Sequence, residues 1–156
     1  MMRVDFSPTI VSDPTILQAC LDSICAIENS TFNPPWSRAD FLKEINDVNS
    51  RNLVLLEENQ TRGYLFSRLA IDEISINKLC VHPDFRGRGF GKALLCELLD
   101  RNREQCRSVF LEVDSQNIPA VSLYTGAGFS VIRVRKKIYA NGADALEMVY
   151  EFPRRS

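Results

Sequence analysis

Histidine and long apolar runs are both scarce in this chain. His82 is its single histidine, and the longest apolar run is the four-residue "LVLL" at 53–56. A membrane-spanning helix needs about 20 mostly apolar residues, and the opening "MMRVDFSPTI" lacks the apolar core of a signal peptide. We therefore expect neither a membrane span nor a secretory leader.

The cysteines are odd in number, and none of them stands in a C-x-x-C pair. With one histidine they cannot supply ligand pairs at metal spacing, so no metal site is predicted. A catalytic cysteine usually works with a histidine partner, which makes it the weaker interpretation here. Reduced core thiols of a cytoplasmic protein are expected instead, because most of the five fall on apolar faces. They are Cys20, Cys25, Cys80, Cys96 and Cys106.

The charges nearly cancel, with 19 Lys and Arg against 20 Asp and Glu. This balance gives no electrostatic reason to expect nucleic acid as a partner, although a local basic patch is present at 133–137. Hydrophobic residues make up 45% of the 156 residues, which is typical of a globular protein. One domain spanning residues 1–156 is expected, and no oligomeric state is predicted.

Two helices and three strands are predicted in the first half. Asp13 and Pro14 favour the start of a helix whose apolar residues recur at helical spacing as far as Glu28. The segment "SRAD" at 37–40 is typical of a capping box that opens a short second helix. The extended runs "NLVLLEE", "GYLFSRLAI" and "EISINKLCV", joined by "NQTR" and "DE", predict a meander of strands.

The second half predicts a crossover unit and a hairpin. A helix from Phe90 to about Cys106 leads into the strand "SVFLEV", which would run parallel to the strand before the helix. Asn117 can cap a further helix that ends at Gly126 or Gly128. Two strands, "FSVIRVRKKIY" and "DALEMVYEF", flank a turn around 141–142. The order ααβββαβαββ predicts an α/β fold, in which helices pack on a mixed sheet.

A glycine turn in "VHPDFRGRGFGKALL" joins a predicted strand to a predicted helix. It is not a P-loop, because only three residues separate Gly87 from Gly91 and Ala93 follows Lys92 where a hydroxyl belongs. A G-x-G-x-x-G dinucleotide fingerprint fails in either register. Successive glycines and a helix N-terminus direct N–H groups at one point, which favours a pyrophosphate. The alternative is a flexible turn with two solvated arginines.

Two longer segments carry a family resemblance. "ISINKLCVHPDFRGRGFGKALL" and "FLEVDSQNIPAVSLYTGAGF" together resemble the GNAT superfamily of acetyl-CoA-dependent N-acetyltransferases. Within it the chain most resembles the RimI group, bacterial enzymes that acetylate the N-terminal alanine of a small-subunit ribosomal protein. "PPWS" and "ADALEM" extend the similarity over nearly the whole chain. The resemblance implies a mixed, mainly antiparallel sheet with helices on both faces.

The resemblance also implies where acetyl-CoA binds. The backbone of one strand end would hold the pantetheine arm as though it were an added strand, and the glycine turn would hold the pyrophosphate. Asn117 would contact the cofactor near its pantetheine portion, and this role is compatible with helix capping. The strand residues are Leu79, Cys80 and Val81, and the turn residues are Gly87, Arg88, Gly89, Phe90, Gly91 and Lys92.

Two residues match the catalytic pair of the RimI group. Glu112 interrupts the apolar strand "VFLEV", where a carboxylate is costly unless it is paired, protonated, facing a cavity or near solvent at the strand end. Tyr124 lies twelve residues on and would otherwise be a core aromatic. The resemblance makes Glu112 the general base and Tyr124 the general acid. Glu28 and Glu73 are competing candidates for the base.

The acceptor is less well defined by the sequence. Trp36 and Tyr139 would be either walls of a peptide groove or packing residues, and Ala140 and Asn141 replace the tyrosine and proline common in the RimI group. An α-amine is the favoured acceptor, because it titrates near pH ~8 whereas lysine titrates near ~10.4. Two alternatives are an acetyltransferase for a small-molecule amine and a catalytically silent acyl-CoA-binding module.

Overall fold

A seven-stranded sheet forms the centre of the computed structural model, which describes residues 7–136 and 139–154. The strand order is β1-β2-β3-β4-β5-β7-β6, and β4 and β5 are the parallel pair in an otherwise antiparallel sheet. This arrangement confirms the predicted mixed, mainly antiparallel sheet. The strands are β1 (Thr9–Val11), β2 (Leu53–Glu57), β3 (Gln60–Ala70), β4 (Glu73–Val81), β5 (Ser108–Asp114), β6 (Ser130–Arg135) and β7 (Ala145–Glu151).

In the part of the chain that the structure describes, five α-helices cover the two faces of the sheet. The predicted caps are confirmed, since the Asp13 carboxylate accepts from the first turn of α1 and Ser37 forms a capping box with Asp40. The prediction of one helix as far as Glu28 is wrong, because Cys20, with φ −87° and ψ 1°, separates two helices that end at Ala19 and begin at Leu21. The helices are α1 (Pro14–Ala19), α2 (Leu21–Thr31), α3 (Arg38–Asn46), α4 (Phe90–Asn102) and α5 (Ile118–Gly126).

Two apolar clusters hold these layers together. On one face, the leucines of α4 pack with β3, β4 and β5, and on the other face α1, α2 and α3 pack on Val54, Tyr64 and Phe66. Of the five cysteines, Cys80 and Cys106 are buried, but Cys96 is exposed on α4. The expectation of core thiols is therefore wrong for Cys96, because it lies on the solvent side of an amphipathic helix.

Strand boundaries differ from the predicted ones near the first hairpin. Glu57 pairs directly with Gln60, so the connection consists of Glu58 and Asn59, both with positive φ. This is the geometry of a tight two-residue hairpin turn, and it lets β3 begin three residues earlier than expected. The short edge strand β1 was missed. The strand predicted at 129–139 ends at Arg135, and residues 137 and 138 lie outside the described part of the chain.

The parallel strands β4 and β5 separate part-way along their length. Their pairing covers residues 73–75 of β4 and 108–110 of β5, yet β4 continues to Val81 and β5 to Asp114. Beyond the paired part, the two strands diverge and leave a groove between them. Among the described residues, no helix is both long and apolar enough to cross a bilayer.

Candidate active site

A groove of about 780 Å³ opens where β4 and β5 separate. Its walls are the C-terminal halves of both strands, the glycine turn, α5 and Tyr139. Most of the residues predicted from sequence line this one groove, although they are spread over 60 positions of the chain. They are Leu79, Cys80, Val81, Gly87, Gly89, Phe90, Gly91, Lys92, Glu112, Asn117, Tyr124 and Tyr139.

The glycine turn has the backbone geometry that an anion site requires. Gly87 and Gly89 have φ of 80° and 82°, which L side chains rarely adopt. A Cβ at either position would meet no protein atom within 4 Å, so the turn is open on that side. Gly89 is also the N-cap of the 13-residue helix α4 and provides no side-chain cap for its first N–H groups. These donors and the positive end of the helix fit a pyrophosphate.

The Arg88 side chain lies apart from the groove. Its guanidinium donates to both carboxylate oxygens of Glu57, over 3.0 and 2.5 Å, and stacks 4.6 Å from the ring centroid of Phe90. The hydrogen bonds from Arg88 hold the pKa of Glu57 below its usual value. Arg88 therefore anchors the turn to β2. Because its side chain is engaged by Glu57, only the backbone N–H of Arg88 is available for the predicted contact with the pyrophosphate.

Glu112 faces the groove from β5 and is ion-paired. Its Oε2 accepts from Nη1 of Arg135 at 3.2 Å, and 37% of its side chain is exposed. A carboxylate in this strand is therefore tolerated because it is paired and solvated at the groove. Both conditions were among those named from sequence for a charged residue in an apolar strand.

Tyr124 lies on α5 and faces the same groove. It is 8% exposed, and its ring centroid lies 5.8 Å from that of Phe129. Burial raises the pKa of Tyr124 to about 12, because the phenolate would lose solvation. The phenol is consequently protonated at neutral pH, and its O–H group can donate a hydrogen bond. Nearby, Asn117 caps α5 through Oδ1, which accepts from the Ala120 N–H at 3.3 Å.

The competing bases occupy other environments. Glu28 is fully buried, and its carboxylate accepts from the Trp36 N–H, the Lys78 ammonium and the Tyr64 hydroxyl over 2.7–2.8 Å. Glu73 begins β4 at the end where β4 pairs with β5, about 10 Å along the strand from Ile76, the first β4 residue that lines the groove. His82 accepts from the Asp84 N–H through Nδ1, as expected of a satisfied loop residue.

The buried Glu28 network predicts a loss of stability when Tyr64 is changed to Phe. Burial raises the pKa of Tyr64, so its hydroxyl remains a donor to Glu28 Oε1 at 2.7 Å. Removing that donor leaves a buried carboxylate oxygen without its partner, which costs about 2 kcal/mol in the free energy of unfolding. Urea unfolding measures this cost.

Tyr150→Phe is the matched control for that experiment. Within the described ranges the Tyr150 hydroxyl makes no hydrogen bond, and its ring packs between Phe129 and Phe152. Its replacement should change the unfolding free energy by less than about 0.5 kcal/mol. Equal losses in the two variants would contradict a specific role for the Tyr64 hydroxyl.

The groove is lined by one of the two aromatic residues that were predicted to contact the acceptor. Tyr139 lines it, and burial together with the charge of Glu112 raises the pKa of its phenol. A turn follows, in which the Gly142 N–H donates to the Tyr139 carbonyl at 2.9 Å. Asn141 ties this turn to β5, because its Nδ2 donates to Asp114 Oδ2 at 3.0 Å. The residue that departs from the RimI pattern thus stabilises the groove wall.

Trp36 lies outside the groove. Its ring packs 5.2 Å from Phe41 and 6.2 Å from Phe66, between ring centroids. Instead, Phe32 and Lys78 line the groove on this side, and the Lys78 ammonium lies 3.9 Å from the Phe32 ring centroid. Sequence reasoning missed both residues. The available signal was a lysine within the otherwise apolar end of "EISINKLCV".

In this chain a mixed sheet opens beside a glycine turn and a helix N-terminus. These features define the fold of the acyl-CoA-dependent N-acyltransferases. The sequence model of the Acetyltransferase (GNAT) domain matches residues 20–152. The chain therefore belongs to the GNAT acetyltransferase family.

Individual relatives agree with this assignment. A Haemophilus influenzae protein named ribosomal protein bS18-alanine N-acetyltransferase is 32% identical over 79% of this chain and 84% of its own length. The crystal structure of the ribosomal-protein-S18-alanine N-acetyltransferase from Escherichia coli has a TM-score of 0.85, 26% identity, and coverage of 96% of this chain and 97% of the other. Arabidopsis thaliana NAA60 in complex with acetyl-CoA shares the fold, with a TM-score of 0.81, 19% identity and coverage of 93% and 99%.

Proposed function

We propose that this protein acetylates the N-terminal alanine of the small-subunit ribosomal protein bS18 with acetyl-CoA as donor. The observation that carries the proposal is the convergence of Glu112, Tyr124 and the glycine turn on one groove. The names of the Haemophilus influenzae and Escherichia coli relatives support the acceptor. A ribosomal acceptor implies a cytoplasmic enzyme.

The features of the groove support binding of the pantetheine arm and the pyrophosphate of acetyl-CoA. Leu79, Cys80 and Val81 pair with β3 but lie beyond the part of β4 that pairs with β5, so on that side their backbone groups would hold the pantetheine arm. The N–H groups of Gly87 through Lys92 would hold the pyrophosphate. Oδ1 of Asn117 caps α5, which leaves its Nδ2 as the donor for the cofactor. When bound, acetyl-CoA supplies an acetyl thioester.

Glu112 would act as the general base. An α-amine titrates near pH ~8, so a useful fraction is neutral in the cell and one carboxylate is enough to take the proton that is lost on acylation. Oε2 of Glu112 is held by Arg135. Within the described residues no hydrogen bond occupies Oε1, which is therefore the oxygen proposed to receive the proton, directly or through a water molecule.

Tyr124 would act as the general acid, which donates its hydroxyl proton to the sulfur of coenzyme A as that sulfur leaves. A thiol titrates near pH ~8.5, far below the pKa of about 12 that burial gives this tyrosine. The phenol is therefore the stable form of Tyr124 before and after each turnover. Its Oη–H would hydrogen-bond to the sulfur and pass a proton to it as the carbon–sulfur bond breaks, and the phenolate left behind would regain a proton from solvent. Over one turnover, the proton that the amine loses to Glu112 and Glu112 returns to solvent balances the one that the sulfur gains.

Mass spectrometry of peptides incubated with the protein and acetyl-CoA tests the acceptor. One peptide begins with the alanine of bS18, a second has the same sequence with a blocked N-terminus, and a third is blocked and rich in lysine. We expect the mass of one acetyl group on the first peptide alone, and at least about 100-fold slower acetylation of that peptide by the Glu112→Gln variant.

Other outcomes would contradict the proposal in distinguishable ways. Acetylation of the lysine-rich peptide would change the acceptor class from α-amines to side chains. Modification of free polyamines but of no peptide would indicate a small-molecule acetyltransferase. Binding of acetyl-CoA without transfer to any amine would indicate an acyl-CoA-binding module.

A further inference from the structure

Two carboxylates face each other across β5 and β7 at the active site. Glu112 and Glu147 are direct partners in the antiparallel register, so their side chains lie on the same face of the sheet. Like charges in directly opposed positions repel each other. Each of them has its own arginine on β6, because Arg133 pairs with Glu147 at 3.7 Å and Arg135 pairs with Glu112 at 3.2 Å.

The two arginines reach over different distances. Arg133 lies opposite Glu147 on the adjacent strand, whereas Arg135 crosses β7 to reach β5. Two strand spacings and an offset of two residues along the strand amount to about 12 Å, which the two extended side chains span only if no bulky residue lies between them. The residue opposite Arg135 on β7 is Ala145, whose methyl group leaves the path clear. On β5 the residue opposite Ala145 is Asp114, which accepts from Asn141, so Arg135 reaches Glu112 on a diagonal.

We propose that Arg135 is a positioning residue, which holds the Glu112 carboxylate away from Glu147 and fixes its orientation in the groove. This inference rests on the proposed role of Glu112 as the base. The guanidinium engages Oε2 and thereby presents Oε1 to the acceptor amine. A base works efficiently only when its oxygen is held within hydrogen-bonding reach of the proton.

The pair does not serve stability to any large extent. The Arg135 side chain is 40% exposed and that of Glu112 is 37% exposed. Ion pairs with this exposure contribute little to folding because water screens the charges and long side chains must be ordered. The thermal unfolding temperature of an Arg135 variant should therefore stay close to that of the parent protein.

Steady-state kinetics of three variants test the proposal. Arg135→Gln should lower kcat by about 10-fold or more, because an unoriented base loses part of the contribution expected of acid–base catalysis. The KM for acetyl-CoA should not change. Arg135→Lys keeps the positive charge and should recover kcat to within about 3-fold of the parent. Arg133→Gln removes a charge from the same strand and should leave kcat within about 2-fold.

A double-mutant cycle separates positioning from an independent role. In the Glu112→Gln background, Arg135→Gln should have no further effect on kcat, since there is no base left to orient. A multiplied loss in the double variant would overturn the proposal, as would an unchanged kcat in Arg135→Gln. A rise in acceptor KM with normal kcat would also overturn it, because Arg135 would then bind the acceptor.

The same experiment distinguishes this inference from the proposed function. Normal turnover of Glu112→Gln would refute Glu112 as the base, and the positioning role would fall with it. A large loss in Glu112→Gln together with full activity of Arg135→Gln would refute the positioning role alone. Calorimetry with acetyl-CoA should give the same Kd for both single variants and the parent protein.

Discussion

Replacing Glu112 with glutamine is expected to lower kcat for α-amine acetylation by roughly 10²–10³-fold, the contribution typical of a general base. Glutamine has nearly the same shape and can still accept from Arg135 through its carbonyl oxygen, but it cannot take up a proton at neutral pH. The affinity for acetyl-CoA should be unchanged, because the predicted cofactor contacts lie on β4, the glycine turn and Asn117. Stopped-time assays and calorimetry measure the two quantities.

Glu147→Gln is the control for this substitution. Glu147 lies directly opposite Glu112 on the same face of the sheet and carries the same charge, but it does not line the groove. Its replacement should change kcat by less than about 3-fold. Near-normal turnover of Glu112→Gln would refute the assignment and return attention to Glu28 and Glu73. A larger loss in Glu147→Gln than in Glu112→Gln would exchange the roles of the two carboxylates.

Gly89→Val is expected to weaken acetyl-CoA binding by at least about 100-fold, through strain and loss of backbone hydrogen bonds. Residue 89 has φ 82°, a conformation that a β-branched side chain adopts at considerable cost. The added side chain would not clash with the protein, because no atom lies within 4 Å of the Cβ position. It would instead fill the space from which a pyrophosphate approaches the N–H groups of α4. Calorimetry measures the change in Kd.

Two controls separate the effect on the site from an effect on folding. Gly89→Ala introduces most of the backbone strain with less bulk, and it should give an intermediate Kd. Gly126→Ala changes a glycine at the end of α5 that has open space around it and does not line the groove, and it should bind acetyl-CoA normally. Unchanged Kd in a folded Gly89→Val protein, verified by circular dichroism, would refute the pyrophosphate site.

The two substitutions probe different parts of one mechanism. Glu112→Gln should leave a protein that binds the donor but does not transfer, whereas Gly89→Val should leave the catalytic pair in place without a bound donor. Acetyl-CoA should therefore raise the thermal unfolding temperature of the first variant and not of the second. Equal stabilisation of both by acetyl-CoA would contradict the division of the groove into a binding part and a reacting part.

Local patterns were sufficient to predict most helices and strands. The caps at Asp13, Ser37 and Asn117 were correctly identified because capping depends on a few adjacent residues. The parallel relation of β4 and β5 followed from the intervening helix, since a crossover connection leaves little choice of direction. The break at Cys20 and the edge strand β1 were missed because neither has a strong local signal.

The sequence by itself determined the family and many of the residues that line the groove, because the glycine turn and the Glu112–Tyr124 spacing are local motifs. Only the tertiary structure decided what the charged side chains do. Arg88 pairs with Glu57, and Arg135 reaches across β7 to Glu112. Glu28 is buried, and its carboxylate accepts three hydrogen bonds. The members of these pairs lie 8 to 50 residues apart, and their contacts depend on strand order and register, which no local pattern specifies.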